Sequence, residues 1–420
     1  MSAQPDFPLL RFPEGLDAAA FLAHYWQRRP LLMRQALPGF ENPLPADELA
    51  GLACEPDVEA RIVLERCGSG PLEVVRQGNG QENRRGNGQG SWQVQHGPFD
   101  EQHFAGLPPS HWTLLVQDVD KHIPEIGVLL ERFNFLPRWR IDDIMVSYAE
   151  DQGSVGPHVD DYDVFLIQAE GCRRWQITTD PDAPQALVPG LELRILQQFE
   201  PDQEWLLSPG DVLYLPPGVP HWGIAEGACQ TWSVGLRAPA WRELADDWLA
   251  QVAERLTPTG RWRDQRRSPP PDPAELDAET LAAMRAGVEA GIAAAGAGDF
   301  QAWLGAWLTE PKLNLELVPV EPPCSETEVL AFIAAHRGLQ RDGRSQILFA
   351  APRAAGEPAL LFANGACHQL PDGLLPLLSS LANRRMLGLE VLRDWLAQPE
   401  AVRLLTGLFN AGHFWRPDGA

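Results

Sequence analysis

Between Trp112 and Ala238 the chain passes through a succession of short apolar or alternating runs, each cut off by Gly, Pro or Asp. They read HWTLLVQDV, IDDIMVSYA, YDVFLIQA, RRWQITT, DVLYLPPG and TWSVGLR. Runs of this length with turn residues between them are strand signals. Many short strands at close spacing predict a double-sheet β-barrel.

Two histidines and an aspartate stand out inside this region. His158 and Asp160 lie in GPHVDDYDVF, and His221 lies far downstream in PPGVPHWG. On a strand, residues i and i+2 share a face, so His158 and Asp160 are expected to project together into the barrel with Val159 pointing away. The run from Ser208 to Gly218 reads as turn, strand and turn, a common lead-in to the distal histidine of cupin-type barrels. Two imidazoles and one carboxylate form the facial triad of non-haem Fe(II), which leaves coordination positions open. A lone HxD pair arises often by chance; its flanks and the PPGVPHWG element set this one apart from satisfied histidines at loop ends. His24, His96, His103, His111, His122, His336, His368 and His413 show no comparable spacing and read as structural or surface residues.

Three open positions suit a 2-oxoacid, which chelates through two of them, and O2 at the third. The distal carboxylate of such a cosubstrate needs a cation, and an arginine fork binds a carboxylate bidentately. Arg173 lies fifteen residues after His158 in the run Arg173-Arg174-Trp175-Gln176-Ile177. By alternation Arg173 and Trp175 share one face and Arg174 takes the other. The sequence leaves open which face is inward, and a solvent-exposed strand residue is the alternative for either arginine.

The rest of the 420-residue chain falls into three segments: a barrel domain over 1–240, a helical region over 241–315 and a third module over 316–420. Residues 15–60 read as helices, with Pro30 ending one of them. The stretch 67–91 is rich in Gly, Asn and Gln, cannot bury much apolar surface and is expected to be a flexible insert between strands. Ser268 to Pro273 reads as a stiff linker. The Ala-rich helices of 274–308 carry Leu276, Leu281, Met284, Val288, Ile292, Phe300 and Leu304, an apolar face that must pack on its own barrel or on a second copy. The third module offers a helix from Glu326 to His336, strands at 346–350 and 359–363, and helices near 373–383, 387–397 and 399–411, a winged-helix-like order. From Val318 onward it has nine arginines, no lysine and ten acidic residues, so it lacks the basic footprint of a DNA reader. A protein-binding or structural role fits better.

Formal net charge is −23. Such a chain does not grip nucleic acid through its own field; the charge either steers basic partners or serves solubility alone. No run of about twenty apolar residues predicts a membrane span, and the N-terminus lacks the pattern of a signal peptide. Six scattered cysteines without a CxxC pair argue against a zinc ribbon or a disulfide framework and fit a reducing cytoplasm.

The stretches FLAHYWQRRPLLMRQAL, WQVQHGPF, HWTLLVQDVD, WRIDDIMVSYA, GPHVDDYDVFLIQAEGCRRWQI, LSPGDVLYLPPGVPHWG and WSVGLRAP together resemble the bacterial JmjC-domain ribosomal oxygenases. They cover nearly all of 15–240. The resemblance implies a double-stranded β-helix (cupin) barrel with N-terminal helices, a helical dimerisation segment and a winged-helix-like C-terminal domain. It implies Fe(II), 2-oxoglutarate and O2 as the reacting set, with His158, Asp160 and His221 on the metal and Arg173 on the 2-oxoglutarate carboxylate. A hydroxyl on the preceding strand often assists, which points to Ser147. Ala149, on the same strand face, cannot donate a hydrogen bond, so a family hydroxyl at that position would be lost here. The substrate implied is an arginine, hydroxylated at C-3, of large-subunit ribosomal protein sixteen. Asp142, Asp143, Glu150, Asp151, Asp161 and Asp163 crowd the triad strands and either face a guanidinium or form a solvated rim. A tRNA-nucleoside or small-molecule oxygenase and a non-catalytic metal-binding cupin module are the competing readings; the intact triad and Arg173 speak against the last.

Overall fold

The structure is a computed structural model that describes residues 10–66, 91–255, 278–296, 300–312 and 314–416. Residues 67–90 of the insert expected over 67–91, the linker at 268–273 and Leu276 lie outside the described residues, and Ser91 opens a strand. Contacts gather into two compact units: 1–238 with 311–345 and 379–420, and 239–310 with 346–378.

The first unit is built on a nine-stranded antiparallel sheet. Its strands are β1 (Leu31–Met33), β2 (Ala60–Arg66), β3 (Ser91–His96), β4 (Trp112–Val116), β5 (Ile141–Ala149), β6 (Val164–Ile177), β7 (Gln203–Leu207), β8 (Val212–Leu215) and β9 (His221–Leu236). They run in the order β1-β8-β6-β9-β5-β4-β2-β3, with β7 also on β6. This is the double-sheet β-barrel expected from the strand spacing.

Three details differ from the sequence reading. YDVFLIQA and RRWQITT are not two strands but the two halves of β6, joined through a break in register between Gln168 and Cys172. Gly171 makes the joint: its φ is +61°, and a Cβ there would sit 2.2 Å from the Ala228 carbonyl oxygen. A bulge of this kind bends a strand without ending it. The first half of β6 therefore pairs with β8 and the second with β7, while β9 follows both. Likewise TWSVGLR is only the end of β9, which begins at His221 and runs through Gly223 and Gly227. Within 15–60, read as helical, only Ala18–His24 and Ala46–Leu52 are α-helices; Leu31–Met33 pairs with β8 as an edge strand, a tertiary contact that local pattern does not encode.

Side chains sort by alternation. Phe165, Ile167, Val212, Tyr214, Trp232 and Val234 face outward into a large core shared with Phe21, Leu37 and Leu49 of the N-terminal segment and with Phe133. Val164, Leu166, Trp175, Ile177, Leu213 and Leu215 form a second cluster on the opposite, inward face. Met145, Val63, Leu115, Trp92 and Ile195 form a third. Asp163, fully buried, accepts from the Tyr214 hydroxyl at 2.6 Å, from Arg140 at 2.7 Å and from Gln27 at 3.1 Å, which ties the N-terminal segment to the strand entering β6.

In the same unit the helix Glu326–His336 starts on a complete capping box between Ser325 and Glu328 and packs against the helix Pro399–Asn410. The stretch expected as a helix over 387–397 is instead a strand, Met386–Gly388, followed by a one-turn helix. That strand pairs with Gly338–Gln340; a Cβ on Gly338 would lie 2.3 Å from the Leu387 carbonyl oxygen, so the close pairing needs glycine.

The second unit holds the helices Trp241–Arg255, Ala278–Gly296 and Phe300–Leu308 and a three-stranded sheet, Ile347–Ala350, Ala359–Ala363 and Ala366–Leu370. The third of these strands has no apolar alternation and was not legible in the sequence. Gly305 lets the Phe362 ring lie against the helix Phe300–Leu308, where a Cβ would meet the ring at 2.4 Å.

Candidate metal centre

His221 opens β9, and its backbone makes a reciprocal pair with His158: N–H to O at 2.9 Å one way and 3.0 Å the other. This isolated bridge, not a continuous strand, is what holds the HxD motif. The expectation that His158 and Asp160 share a strand is corrected here. The Gly156-Pro157 lead-in and Asp160 are irregular backbone, and Gly156 takes a φ of +80°. The functional consequence is nonetheless the same, because both side chains converge on His221.

Donor atoms of His158, Asp160 and His221 all lie within 4.8 Å of one another, the one such group found among the described residues. His221 Nε2 is 3.6 Å from Asp160 Oδ2. Each imidazole is oriented through its other nitrogen: His158 Nδ1 bonds the Gly156 carbonyl and His221 Nδ1 the Val219 carbonyl, both at 2.9 Å. A carbonyl accepts, so each Nδ1 carries the proton and each Nε2 presents a lone pair, as a metal-binding histidine requires. Burial, with the neighbouring His158, pushes the His221 pKa down to about 4, so the ring is neutral at pH 7. Two imidazole nitrogens and one carboxylate without a thiolate suit Fe(II) with open positions.

Arg173 answers the question that alternation left open. It is buried on the inward face of β6, next to Trp175, whose ring lies against Gly223 and 5.9 Å from the His221 ring centre. Arg174 points outward to Glu204 and Glu226. Arg173 Nε and Nη2 have no hydrogen-bond partner among the described residues. A buried guanidinium with unused N–H groups is costly unless an anion completes it, and a carboxylate fits that need. Ser147 also faces inward and is buried, but its hydroxyl proton is already given to the Thr231 carbonyl at 3.1 Å.

Of the acidic residues around the triad, Asp163 is consumed by the network described above, and Asp143 is buried. Asp142 pairs with Arg237 and Lys312. Asp151 and Asp161 remain exposed. The sequence did not reveal the orienting carbonyls of Gly156 and Val219, since any residue can supply a carbonyl.

A jelly-roll barrel with this triad and an inward arginine defines the class of non-haem iron oxygenases that use a 2-oxoacid. The JmjC domain family matches residues 128–244, and the ROXA-like winged helix family matches 296–414. An AraC-like ligand binding domain matches 200–297. The chain is 32% identical over 396 residues to ribosomal protein uL16 3-hydroxylase of Escherichia coli, covering 94% of this chain and 96% of the relative. It is 37% identical over 235 residues to a probable ribosomal oxygenase of Haemophilus influenzae, covering 56% of this chain and 53% of the relative. Among solved structures, YcfD of Escherichia coli aligns over 97% of this chain and 99% of its own with 31% identity and a TM-score of 0.78. YcfD in complex with cobalt and 2-oxoglutarate aligns over the same shares with a TM-score of 0.74. The chain therefore belongs to the JmjC-domain ribosomal oxygenases and is an Fe(II)- and 2-oxoglutarate-dependent oxygenase.

Proposed function

We propose that this oxygenase hydroxylates C-3 of an arginine side chain in large-subunit ribosomal protein sixteen. The observation that carries the reading is the pairing of one triad with one buried, unsatisfied arginine, on a chain similar along nearly its whole length to a uL16 3-hydroxylase. His158, Asp160 and His221 hold the iron. Arg173 holds the distal carboxylate of 2-oxoglutarate, and the Trp175 ring walls that side of the site. Ser147 joins only by exchanging its bond to Thr231. Held by these residues, iron and a chelating 2-oxoacid would supply the oxygen chemistry, one atom of O2 going to a substrate C–H bond and the other to the decarboxylated 2-oxoacid. The protein's part is orientation and exclusion of water.

The exposed carboxylates Asp151 and Asp161 and the net charge of −23 support a basic protein as the partner and disfavour direct nucleic-acid binding. No helix among the described residues is long and apolar enough to cross a membrane. With a ribosomal substrate, the place of action is the cytoplasm. The domain division that goes with this reading is 1–240 catalytic, 241–315 dimerising and 316–420 winged-helix-like. A homodimer is supported by Leu281, Met284, Val288 and Ile292, which form one exposed apolar face of the helix Ala278–Gly296.

The test is intact-mass spectrometry of large-subunit ribosomal proteins incubated with the enzyme, Fe(II), 2-oxoglutarate and ascorbate. One added oxygen on an arginine of protein sixteen, absent with His158→Ala, is the expected result. No shift on any ribosomal protein with iron bound would overturn the substrate assignment.

A further inference from the structure

One buried hydroxyl has no role in the site as described so far. Thr113 on β4 is fully buried, and its Oγ1 has no hydrogen-bond partner among the described residues. Leaving such a group unpaired costs about 1–3 kcal/mol. A valine would have the same shape without that cost, so the hydroxyl calls for a use.

Its direction follows from the register. Thr113 lies opposite Val63 on β2 and opposite Ala149 on β5. Directly opposed residues of an antiparallel pair point to one face. Val63 clusters with Trp92, Leu115 and Ile195, and Leu115 lies opposite the inward-facing Ser147, so this cluster is on the inward face. Ala149 packs with Ala225 and Cys229, and Ala225 lies opposite Arg173. Three small side chains thus separate two sets of unused donors, the Thr113 hydroxyl on one side and Arg173 Nε and Nη2 on the other. Unused donors on one inward face, with only small residues between them, match a carboxylate, which only accepts and takes several bonds at once.

We propose that Thr113 donates its hydroxyl to the distal carboxylate of 2-oxoglutarate, with β4 supplying the contact that β5 does not. On β5 the Ser147 proton is committed to Thr231, and Ala149 has no hydroxyl. The proposal rests on the 2-oxoglutarate reading of the barrel and adds a binding residue to it.

Calorimetric titration of 2-oxoglutarate into the Mn(II)-loaded full chain, without turnover, tests it. Thr113→Val is expected to weaken binding roughly tenfold or more, the range for a lost hydrogen bond to a charged group, with Mn(II) affinity unchanged. Thr113→Ser is expected to keep most of the affinity, and Ala149→Ser in the valine background to restore part of it. Metal-free Thr113→Val is expected to melt no lower than wild type, since it loses only an unpaired hydroxyl; a purely structural hydroxyl would lower the melting temperature. Undiminished affinity in Thr113→Val, with wild type binding normally, would overturn the proposal alone. Failure of wild type to bind 2-oxoglutarate would overturn both it and the cosubstrate reading.

Discussion

Arg173 and Asp143 show how burial turns one side chain into a functional or a pH-dependent element. Arg173 lies buried inside the barrel, and among the described residues its Nε and Nη2 have no hydrogen-bond partner. Arg173→Ala is expected to raise the KM for 2-oxoglutarate at least about tenfold while kcat falls less, read from initial rates against cosubstrate concentration. Asp143 sits at the start of the same inward face of β5. Burial pushes its pKa up to about 7, against the pull of Lys312. A carboxyl whose folded pKa lies above its unfolded value favours folding only while protonated. The contribution is therefore full below about 4 and lost as pH rises through about 7. Asp143→Asn removes that dependence. Melting temperatures of wild type are expected to fall relative to the variant between pH 5 and 8, and parallel curves would contradict the assignment. Both residues were visible in the sequence as types, but their burial was not, because alternation gives two faces without saying which is inside.

Among the elements, β6 and β9, long enough to serve the whole barrel, bring Arg173 and His221 to the site, while His158 and Asp160 come from the irregular backbone before β6. The Gly171 joint makes that length possible. Gly171→Ala combines a left-handed backbone with a clash against the Ala228 carbonyl. A loss of about 1–3 kcal/mol or more is expected, read as a lower urea midpoint, with weaker 2-oxoglutarate binding because Arg173 lies two residues on. An unchanged midpoint would mean that the bulge tolerates a side chain. Sequence patterning found the apolar halves of these strands and missed their continuity, since a bulge breaks the period that marks a strand. It also missed β7, whose alternation is limited to Trp205 and Leu207, and the strand Ala366–Leu370, which lacks an apolar repeat; both exist by pairing with a neighbour.

At the scale of the whole molecule, distant segments are joined by buried charge. Arg385 reaches Asp120 at 3.1 Å and the Gly343 carbonyl at 3.1 Å, and its backbone N–H donates to Glu131 at 2.7 Å. Burial pushes the Asp120 pKa up, but Lys121 and Arg385 outweigh it and hold the group below the usual carboxylate range. Lys312 reaches Asp118 at 2.8 Å, so the chain's only two lysines, Lys121 and Lys312, both serve this region. Arg385→Ala strands Asp120 with one partner fewer and is expected to cost about 3–5 kcal/mol, measured by denaturant unfolding; a loss below about 1 kcal/mol would show that the cluster is not a clasp. Val288→Glu, placed on the exposed apolar helix face, is expected to yield monomers by sedimentation with the barrel folded, whereas an unaltered dimer would locate the interface elsewhere. The sequence by itself determined the barrel and the family and singled out His158, Asp160, His221 and Arg173 as candidates, because strand period, turn residues and ligand chemistry are local and leave their marks on neighbouring letters. Only the tertiary structure decided that Arg173 faces inward with donors that no described residue uses, that Ser147 is occupied while Thr113 has no partner among the described residues, and that Arg385 meets Asp120. Each of these depends on which strand lies beside which, a matter of register and long-range packing that no short stretch of sequence contains.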